Sequence, residues 1–431
     1  MKNHIKTIIC LLLAASMLLG AFACAKPEGG ETPDPKDTNG KTSFNPTAVN
    51  LTANVTPAKV EGKAADQKFI AAQADFAVTL FKNSLNMQGN TLVSPLSVML
   101  ALAMTANGAD GETLAGMEKA LGGSSLPIDE LNEYLYHYIK YLPSGEKYKV
   151  TPANSIWIRD GFAENVKETF LQKNADYYGA AAYRAPFDDT TLADINGWVK
   201  ENTDGMIKKV IDSIDPSTVM FLINALIFDA EWAEKYESSA VHDAPFHPYG
   251  GGEKTVSMMY SDEYFYLSDN GAEGFIKPYA GDKYSFAVLM PQEGTDIYDY
   301  IRTLSGGKLL AILNARKSEA VSAGLPKFSY DYELLLNNAL SAMGMSRAFD
   351  PNSAEFTKMS DSELYISKVI HKTFIEVAEQ GTRAGAVTVV AMDEAAMMTE
   401  HSVILDRPFV YMILDNATNL PIFIGCVTDI A

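Results

Sequence analysis

Cysteine is scarce in this sequence, and its distribution excludes a disulfide-linked fold. Only Cys10, Cys24 and Cys426 occur in 431 residues, and the first two lie close to the N-terminus. Cys426 therefore has no partner in the body of the chain, which also excludes a cysteine-based metal site there. The folded part must be stabilised by the packing of its apolar core.

Basic charge is also in short supply. The chain has 35 Lys and Arg against 54 Asp and Glu, which gives a formal net charge of -19. No stretch is dense enough in Lys or Arg to suggest an anion-binding surface. We therefore expect neither a nucleic acid nor a sulfated polysaccharide as a partner.

Signatures of catalytic sites are missing as well. The sequence contains neither Gly-x-Ser-x-Gly nor His-Glu-x-x-His. Ser-x-x-Lys occurs at Ser144 and at Ser305, but glycine inside both motifs is typical of turns. His242 and His247, on either side of Asp243, are interpreted as exposed loop histidines and not as metal ligands. The sequence predicts a protein that is not an enzyme and that needs no cofactor or metal.

The N-terminus has the pattern of an export signal. Lys2 and Lys6 precede an apolar run at residues 8–19, and small residues lead to Cys24. The segment 1–23 resembles a bacterial lipoprotein signal, in which the cysteine carries the lipid. We expect export and anchorage through Cys24 to the outer membrane, at the cell surface or the periplasmic face, or secretion if Cys24 is not lipidated.

Residues 24–62 are rich in Pro, Gly, Asp, Asn and Thr and contain few large apolar side chains. Such a segment buries too little apolar surface to offset the entropy lost on ordering. We therefore interpret it as a flexible tether that precedes a domain at residues 63–431.

The domain combines helical periodicity, which dominates its first half, with strand patterns, which dominate its second. This distribution indicates the α+β class. The apolar strands at residues 219–229 and 364–377 each contain one conspicuous polar residue, Asn224 and His371. A buried polar group without hydrogen bonds costs about 1–3 kcal/mol, so both positions must have partners.

Short segments along residues 66–431 resemble one family in the same order, the serpins, which trap proteases by suicide inhibition. They are NTLVSPLS (90–97), GADGET (108–113), NSIWI (154–158), TDG (203–205), LIN (222–224) with Trp232, LPKF (325–328), HK (371–372), EQGT (379–382) and RPF (407–409). The resemblance implies three β-sheets, about eight to nine helices and an exposed reactive-centre loop that enters the central sheet as a new strand after cleavage. The alternative within the family is a non-inhibitory binding or carrier protein.

The resemblance also implies roles for individual residues. The shutter, where the central sheet opens, corresponds to Ser94, Ser97, Asn224 and His371. The breach at the top of the opening corresponds to Trp232 and Lys327, with Lys327 paired to Glu379. The loop hinge corresponds to Glu379, Gly381, Thr382, Ala384 and Ala386.

Strand periodicity predicts which loop residues face the core after insertion. The inward face would be Thr382, Ala384, Ala386, Thr388, Val390 and Met392, which are small or apolar. Arg383 falls on the solvent face and should not prevent insertion.

Two bonds are candidates for cleavage, Ala395–Ala396 and Met397–Met398. No Lys or Arg occurs between Arg383 and Arg407, so the expected targets are elastase-like or subtilisin-like serine proteases, with cysteine proteases as a further class. We expect the inhibitor to be a monomer.

Overall fold

A computed structural model describes residues 45–123, 125–382 and 401–430. The α-helices in these ranges are α1 (Gln67–Asn83), α2 (Pro95–Ala106), α3 (Gly111–Gly122), α4 (Ile128–Lys140), α5 (Asp160–Ala163), α6 (Glu168–Tyr178), α7 (Asp189–Asn202), α8 (Ile297–Thr303), α9 (Gly306–Asn314) and α10 (Asn337–Leu340). Shorter helical turns are Ser238–Ala240, Ser341–Met345 and Ser346–Phe349.

The strands alternate with these helices and become more frequent after α7. They are β1 (Val49–Asn50), β2 (Thr91–Val93), β3 (Tyr148–Arg159), β4 (Ala181–Ala185), β5 (Met220–Glu231), β6 (Val241–Phe246), β7 (Lys254–Glu263), β8 (Phe265–Ser268), β9 (Ala272–Pro278), β10 (Tyr284–Pro291), β11 (Val321–Pro326), β12 (Phe328–Leu335), β13 (Lys368–Ala378), β14 (Gly381–Thr382), β15 (His401–Ile404), β16 (Phe409–Asp415) and β17 (Leu420–Val427).

The first two helices begin where the sequence places capping residues. The Asp66 side chain accepts a hydrogen bond from the Phe69 amide (3.0 Å) at the start of α1. Ser94 caps α2, and Pro95 occupies its first turn. All twelve residues of α2 are buried, as its predominantly apolar sequence predicts.

Three sheets form the body of the domain, which confirms the predicted α+β class. Sheet A has the strand order β1-β4-β3-β5-β14-β13-β12, sheet B the order β2-β17-β16-β10-β9-β8 and sheet C the order β15-β11-β7-β6. The main core contains side chains from α1, α2 and sheet B. A second core cluster joins α7 to sheet A through Trp198, Trp157, Phe221 and Ile370. Sheet A is therefore packed on both faces around Trp157, Phe221 and Ile370, which explains why β5 is apolar at successive positions there.

The predicted tether needs a correction at residues 47–50, which contact the domain. Val49 and Asn50 pair with β4 at the edge of sheet A. The amides of Thr47 (3.1 Å) and Ala48 (2.7 Å) donate to the carboxylate of Asp194 on α7. Composition alone suggested a flexible segment, but the backbone of this segment finds hydrogen-bond partners on an edge strand and a helix.

The structure corrects the predicted position of His242 and explains one of the Ser-x-x-Lys motifs. His242, predicted to lie in a loop, is an exposed residue of strand β6. Ser305 is the N-cap of α9 and accepts a hydrogen bond from the Lys308 amide (3.1 Å), which accounts for one of the two Ser-x-x-Lys motifs. Across the described ranges, no helix combines the length and apolarity needed to cross a membrane.

Candidate functional site

The four predicted shutter residues form one buried cluster where the start of α2 meets sheet A. His371 on β13 and Asn224 on β5 are direct partners in the strand register, and Nδ1 of His371 lies 2.6 Å from Oδ1 of Asn224. The Ser97 hydroxyl donates to the same Asn224 oxygen (3.3 Å). The Ser94 amide donates to Nε2 of His371 (3.0 Å), so the helix cap of α2 contacts the sheet at this point.

These contacts determine the protonation state of His371. Because Nε2 accepts a hydrogen bond from the Ser94 amide, the ring proton is on Nδ1 and is donated to Asn224. Burial lowers the pKa of His371 from its usual 6.5 to about 3. His371 is therefore a neutral hydrogen-bonding residue at physiological pH, and the cluster contains no charge.

The strand pairing of sheet A changes beyond this cluster, toward the C-terminal ends of β5 and β13. The parallel ladder between β5 and β13 runs from the pair Phe221–Lys368 to the pair Asn224–His371. Within the described ranges, the next strand contacts of β5 on this side are those with Gly381 and Thr382 of β14. The shutter cluster thus lies at the last residue pair that joins β5 directly to β13.

The base of the loop re-enters sheet A at the C-terminal ends of β5 and β13. After β13 the chain turns at Glu379 and Gln380 and returns as β14. Gly381 and Thr382 pair antiparallel with both neighbours, β13 on one side and β5 on the other. Thr382 is 2% exposed. The start of the loop is therefore already a short strand between β5 and β13.

Trp232 binds the backbone of this turn. Its indole Nε1–H donates to the Ala378 carbonyl (2.8 Å), and its amide donates to the Gln380 carbonyl (3.0 Å). The Tyr236 amide donates to the Glu379 carbonyl (3.1 Å). Three successive carbonyl groups at the loop base are thus held by two residues that follow β5.

The expected contact between Lys327 and Glu379 is present at the surface of the same region. Nζ of Lys327 lies 2.7 Å from Oε1 of Glu379, and both side chains are partly exposed. Burial alone would raise the pKa of Glu379, but the hydrogen bond from Lys327 keeps it below its usual value. A pair with this exposure contributes about 1 kcal/mol at most.

Two buried groups beside the loop base did not emerge from the sequence. The hydroxyl of Tyr279 lies 2.5 Å from the hydroxyl of Thr382, and the ring of Tyr279 stacks on Trp232. Behind them, Nζ of Lys277 lies 2.7 Å from Oε1 of Glu263, with both side chains almost completely buried. No local motif marks these residues, because Lys277 and Tyr279 lie at and just after the end of β9 in sheet B, whereas Glu263 lies in β7 of sheet C.

The far end of the loop is held by sheet C. His401 begins β15, and Nε2 of its ring lies 2.9 Å from Oε2 of Glu319. The same ring stacks on Tyr266 with 3.7 Å between centroids. Residues 383–400 thus connect an anchored strand in sheet A to an anchored strand in sheet C.

Several predicted residues lie outside the described ranges. They are the hinge residues Ala384 and Ala386, both candidate bonds, Ala395–Ala396 and Met397–Met398, and the candidate lipid-bearing Cys24. In the part of the chain that the structure describes, no group of three or more His, Cys, Asp or Glu side chains could hold a metal ion.

Comparison with known proteins is consistent with this geometry. The family model described as "Serpin (serine protease inhibitor)" matches residues 71–430. The chain belongs to the serpin family. It is 32% identical to the leukocyte elastase inhibitor of Sus scrofa, over 83% of this chain and 98% of that protein.

Two solved structures of the thermophilic serpin tengpin match the fold of this serpin. Its native state is 49% identical, with a TM-score of 0.86, over 89% of this chain and 100% of that chain. Its latent state is 47% identical, with a TM-score of 0.76, over 86% of this chain and 100% of that chain. The fold described here is thus more similar to the native form. Serpins are generally protease inhibitors and not enzymes in the usual sense.

Proposed function

We propose that this serpin is a suicide-substrate inhibitor of serine proteases that traps the acyl-enzyme by inserting its loop into sheet A. The observation that carries the proposal is the position of Gly381 and Thr382, which pair antiparallel with both β5 and β13. A loop that continued in this direction would extend the same strand. Beyond it, the described strands β5 and β13 pair directly only from Phe221–Lys368 to Asn224–His371.

The chemistry belongs to the protease, and the inhibitor supplies the substrate and the trap. The protease serine oxygen attacks the carbonyl carbon of Ala395 or Met397, forms an ester and releases the following residue as a free amine. Loop insertion then moves the ester-linked protease along sheet A before water can hydrolyse the ester. Each new strand residue gains ladder hydrogen bonds to β5 or β13 in alternation.

We propose elastase-like or subtilisin-like enzymes as targets, with cysteine proteases as a further class. The side chains of both candidate bonds are small or unbranched and apolar. The similarity to a leukocyte elastase inhibitor supports this specificity. A trypsin-like target would require Lys or Arg, and neither occurs at residues 384–406.

The test is formation of a covalent complex. Purified protein is mixed with an elastase-like, a subtilisin-like and a trypsin-like protease, and the products are separated by denaturing electrophoresis. We expect an SDS-stable complex with the first two enzymes only. Mass spectrometry of the C-terminal fragment released with each enzyme identifies the cleaved bond as Ala395–Ala396 or Met397–Met398. Clean cleavage without a complex throughout the panel contradicts the proposal.

A carrier role would give a different result in a second measurement. Thermal unfolding is compared before and after the loop is cleaved by a protease that does not remain bound. An inhibitor gains a strand in sheet A, so its melting temperature rises after cleavage. An unchanged melting temperature indicates a loop that does not insert, as expected of a carrier.

We further propose that the protein acts at the bacterial outer membrane, held by a lipid on Cys24 and functioning as a monomer. Support comes from the signal-like segment at residues 1–23, which ends directly before this cysteine. Membrane fractionation after labelling with an alkyne fatty acid tests the anchor. We expect label in the wild type and none in Cys24→Ser, while unlabelled wild-type protein in the medium would indicate secretion. Light scattering of the purified protein tests the monomer.

A further inference from the structure

The Tyr279 hydroxyl lies at the junction of two sheets. Tyr279 follows β9 of sheet B, whereas its partner Thr382 belongs to β14 of sheet A, and their hydroxyl oxygens are 2.5 Å apart. Both residues are buried. Burial holds the pKa of Tyr279 well above its usual value, so its phenol stays neutral and can donate or accept a hydrogen bond.

The ring of Tyr279 is fixed in place by aromatic neighbours. It stacks on Trp232, with ring centroids 4.5 Å apart and planes inclined by 9°, and it meets the edge of Phe228 at 5.0 Å. Trp232 also binds the backbone of the loop base through two hydrogen bonds. The phenol therefore has little freedom to follow Thr382 if the loop base moves out of the sheet.

We infer that Tyr279 is a positioning residue for loop insertion, whose hydroxyl keeps Thr382 inside sheet A before the loop is cleaved. The consequence for inhibition rests on the proposed function. An insertion that begins with Gly381 and Thr382 already paired does not need to separate β5 from β13 at this end of sheet A. It is therefore faster relative to hydrolysis of the ester.

Removing one hydroxyl should loosen the loop base without disturbing the stacked rings. A buried hydrogen bond contributes about 0.5–1.5 kcal/mol, which corresponds to a roughly two- to tenfold change in the population of a locally opened state. Tyr279→Phe removes the phenol oxygen, and Thr382→Val removes the other oxygen while the side chain remains β-branched. The double variant should behave like either single variant, because both remove the same bond.

The direct measurement is amide hydrogen exchange of the intact protein, followed by mass spectrometry of peptides that cover residues 378–382. We expect about two- to tenfold faster exchange in Tyr279→Phe and Thr382→Val. Tyr332→Phe is the matched control, since its buried hydroxyl donates to the Ser84 carbonyl at 2.5 Å, away from the loop base. Unchanged exchange in Tyr279→Phe, or an equal increase in Tyr332→Phe, would overturn the inference.

The second measurement concerns inhibition itself. With a protease that forms a complex, Tyr279→Phe should require more inhibitor per enzyme trapped, because slower insertion gives the ester more time to hydrolyse. Faster exchange with an unchanged stoichiometry would refute the role in insertion. If no protease forms a complex with the wild type, the proposed function fails, while the exchange experiment still decides whether Tyr279 holds Thr382.

Discussion

His371 donates a hydrogen bond from Nδ1 to Oδ1 of Asn224 across the last residue pair that joins β5 directly to β13. The ring nitrogen and the amide oxygen are 2.6 Å apart, and both side chains are buried. Nε2 of the same ring accepts a hydrogen bond from the Ser94 amide, and it can do so only while His371 is neutral. The contact of α2 with the paired strands β5 and β13 at this position is therefore linked to pH.

We predict that stability falls as the pH is lowered through the range of an ordinary histidine. The pKa of His371 is lowered to about 3 in the folded state, so below about pH 6.5 the unfolded chain binds a proton that the folded chain does not. His371 therefore contributes its full stabilisation above pH 6.5. Between pH 6.5 and about pH 3, the free energy of unfolding falls by about 1.4 kcal/mol for each pH unit.

Urea unfolding at pH 7.5, 6.0 and 5.0 measures this effect. His371→Asn keeps an N–H donor but does not titrate, so its free energy of unfolding should decline less steeply than that of the wild type. His242→Asn changes an exposed histidine and should follow the wild type. Parallel pH curves for the wild type and His371→Asn would contradict the assignment.

Gly381 should not tolerate a side chain. A Cβ atom at this position would lie 2.0 Å from the carbonyl oxygen of Ala230 and 2.8 Å from Cα of Glu231, which are backbone atoms of β5. Gly381→Ala must therefore force the loop base away from β5. We expect more cleaved inhibitor per complex in a titration against a target protease. Gly307→Ala, with no neighbour within 4 Å of its Cβ, is the control and should inhibit like the wild type.

The register of the inserted loop gives a paired prediction. The Thr382 side chain points to the buried Tyr279 hydroxyl, so alternate residues of a continued strand, including Thr388, would face the core. Thr388→Arg should prevent complex formation, because a buried unpaired charge is strongly unfavourable. Val387→Arg adds the same charge on the solvent face and should retain complex formation. Equal loss in both variants would show that the charge acts on protease recognition and not on insertion.

The ion pair between Lys277 and Glu263 should be sensitive to the loss of one partner. Burial alone would lower the pKa of Lys277, but the charge of Glu263 raises it, so the lysine is charged in the folded protein. Lys277→Met leaves a buried carboxylate and should reduce the free energy of unfolding by about 3–5 kcal/mol. Adding Glu263→Gln should restore a large part of it. Urea unfolding of both variants measures the difference, and equal losses would contradict a specific pairing.

Much of the fold could be predicted because its signals are local. The cap at Ser94 and the predominantly apolar sequence of α2 depend on neighbouring residues, as does the long apolar strand β5. The contact between Lys327 and Glu379 was predicted through family resemblance. The contacts of residues 47–50 were not predicted, because β4 and the Asp194 carboxylate are provided by distant parts of the chain.

The fold class, the family resemblance and the alternation of small or apolar residues along the loop follow from the sequence alone, because they depend on composition, residue order and strand period. The protonation of His371 and the depth at which the loop base enters sheet A depend instead on tertiary contacts. The same is true of the contacts of Tyr279 with Thr382 and of Lys277 with Glu263. Each of these contacts joins residues from different strands, and their distances depend on how the sheets pack, which no local pattern encodes.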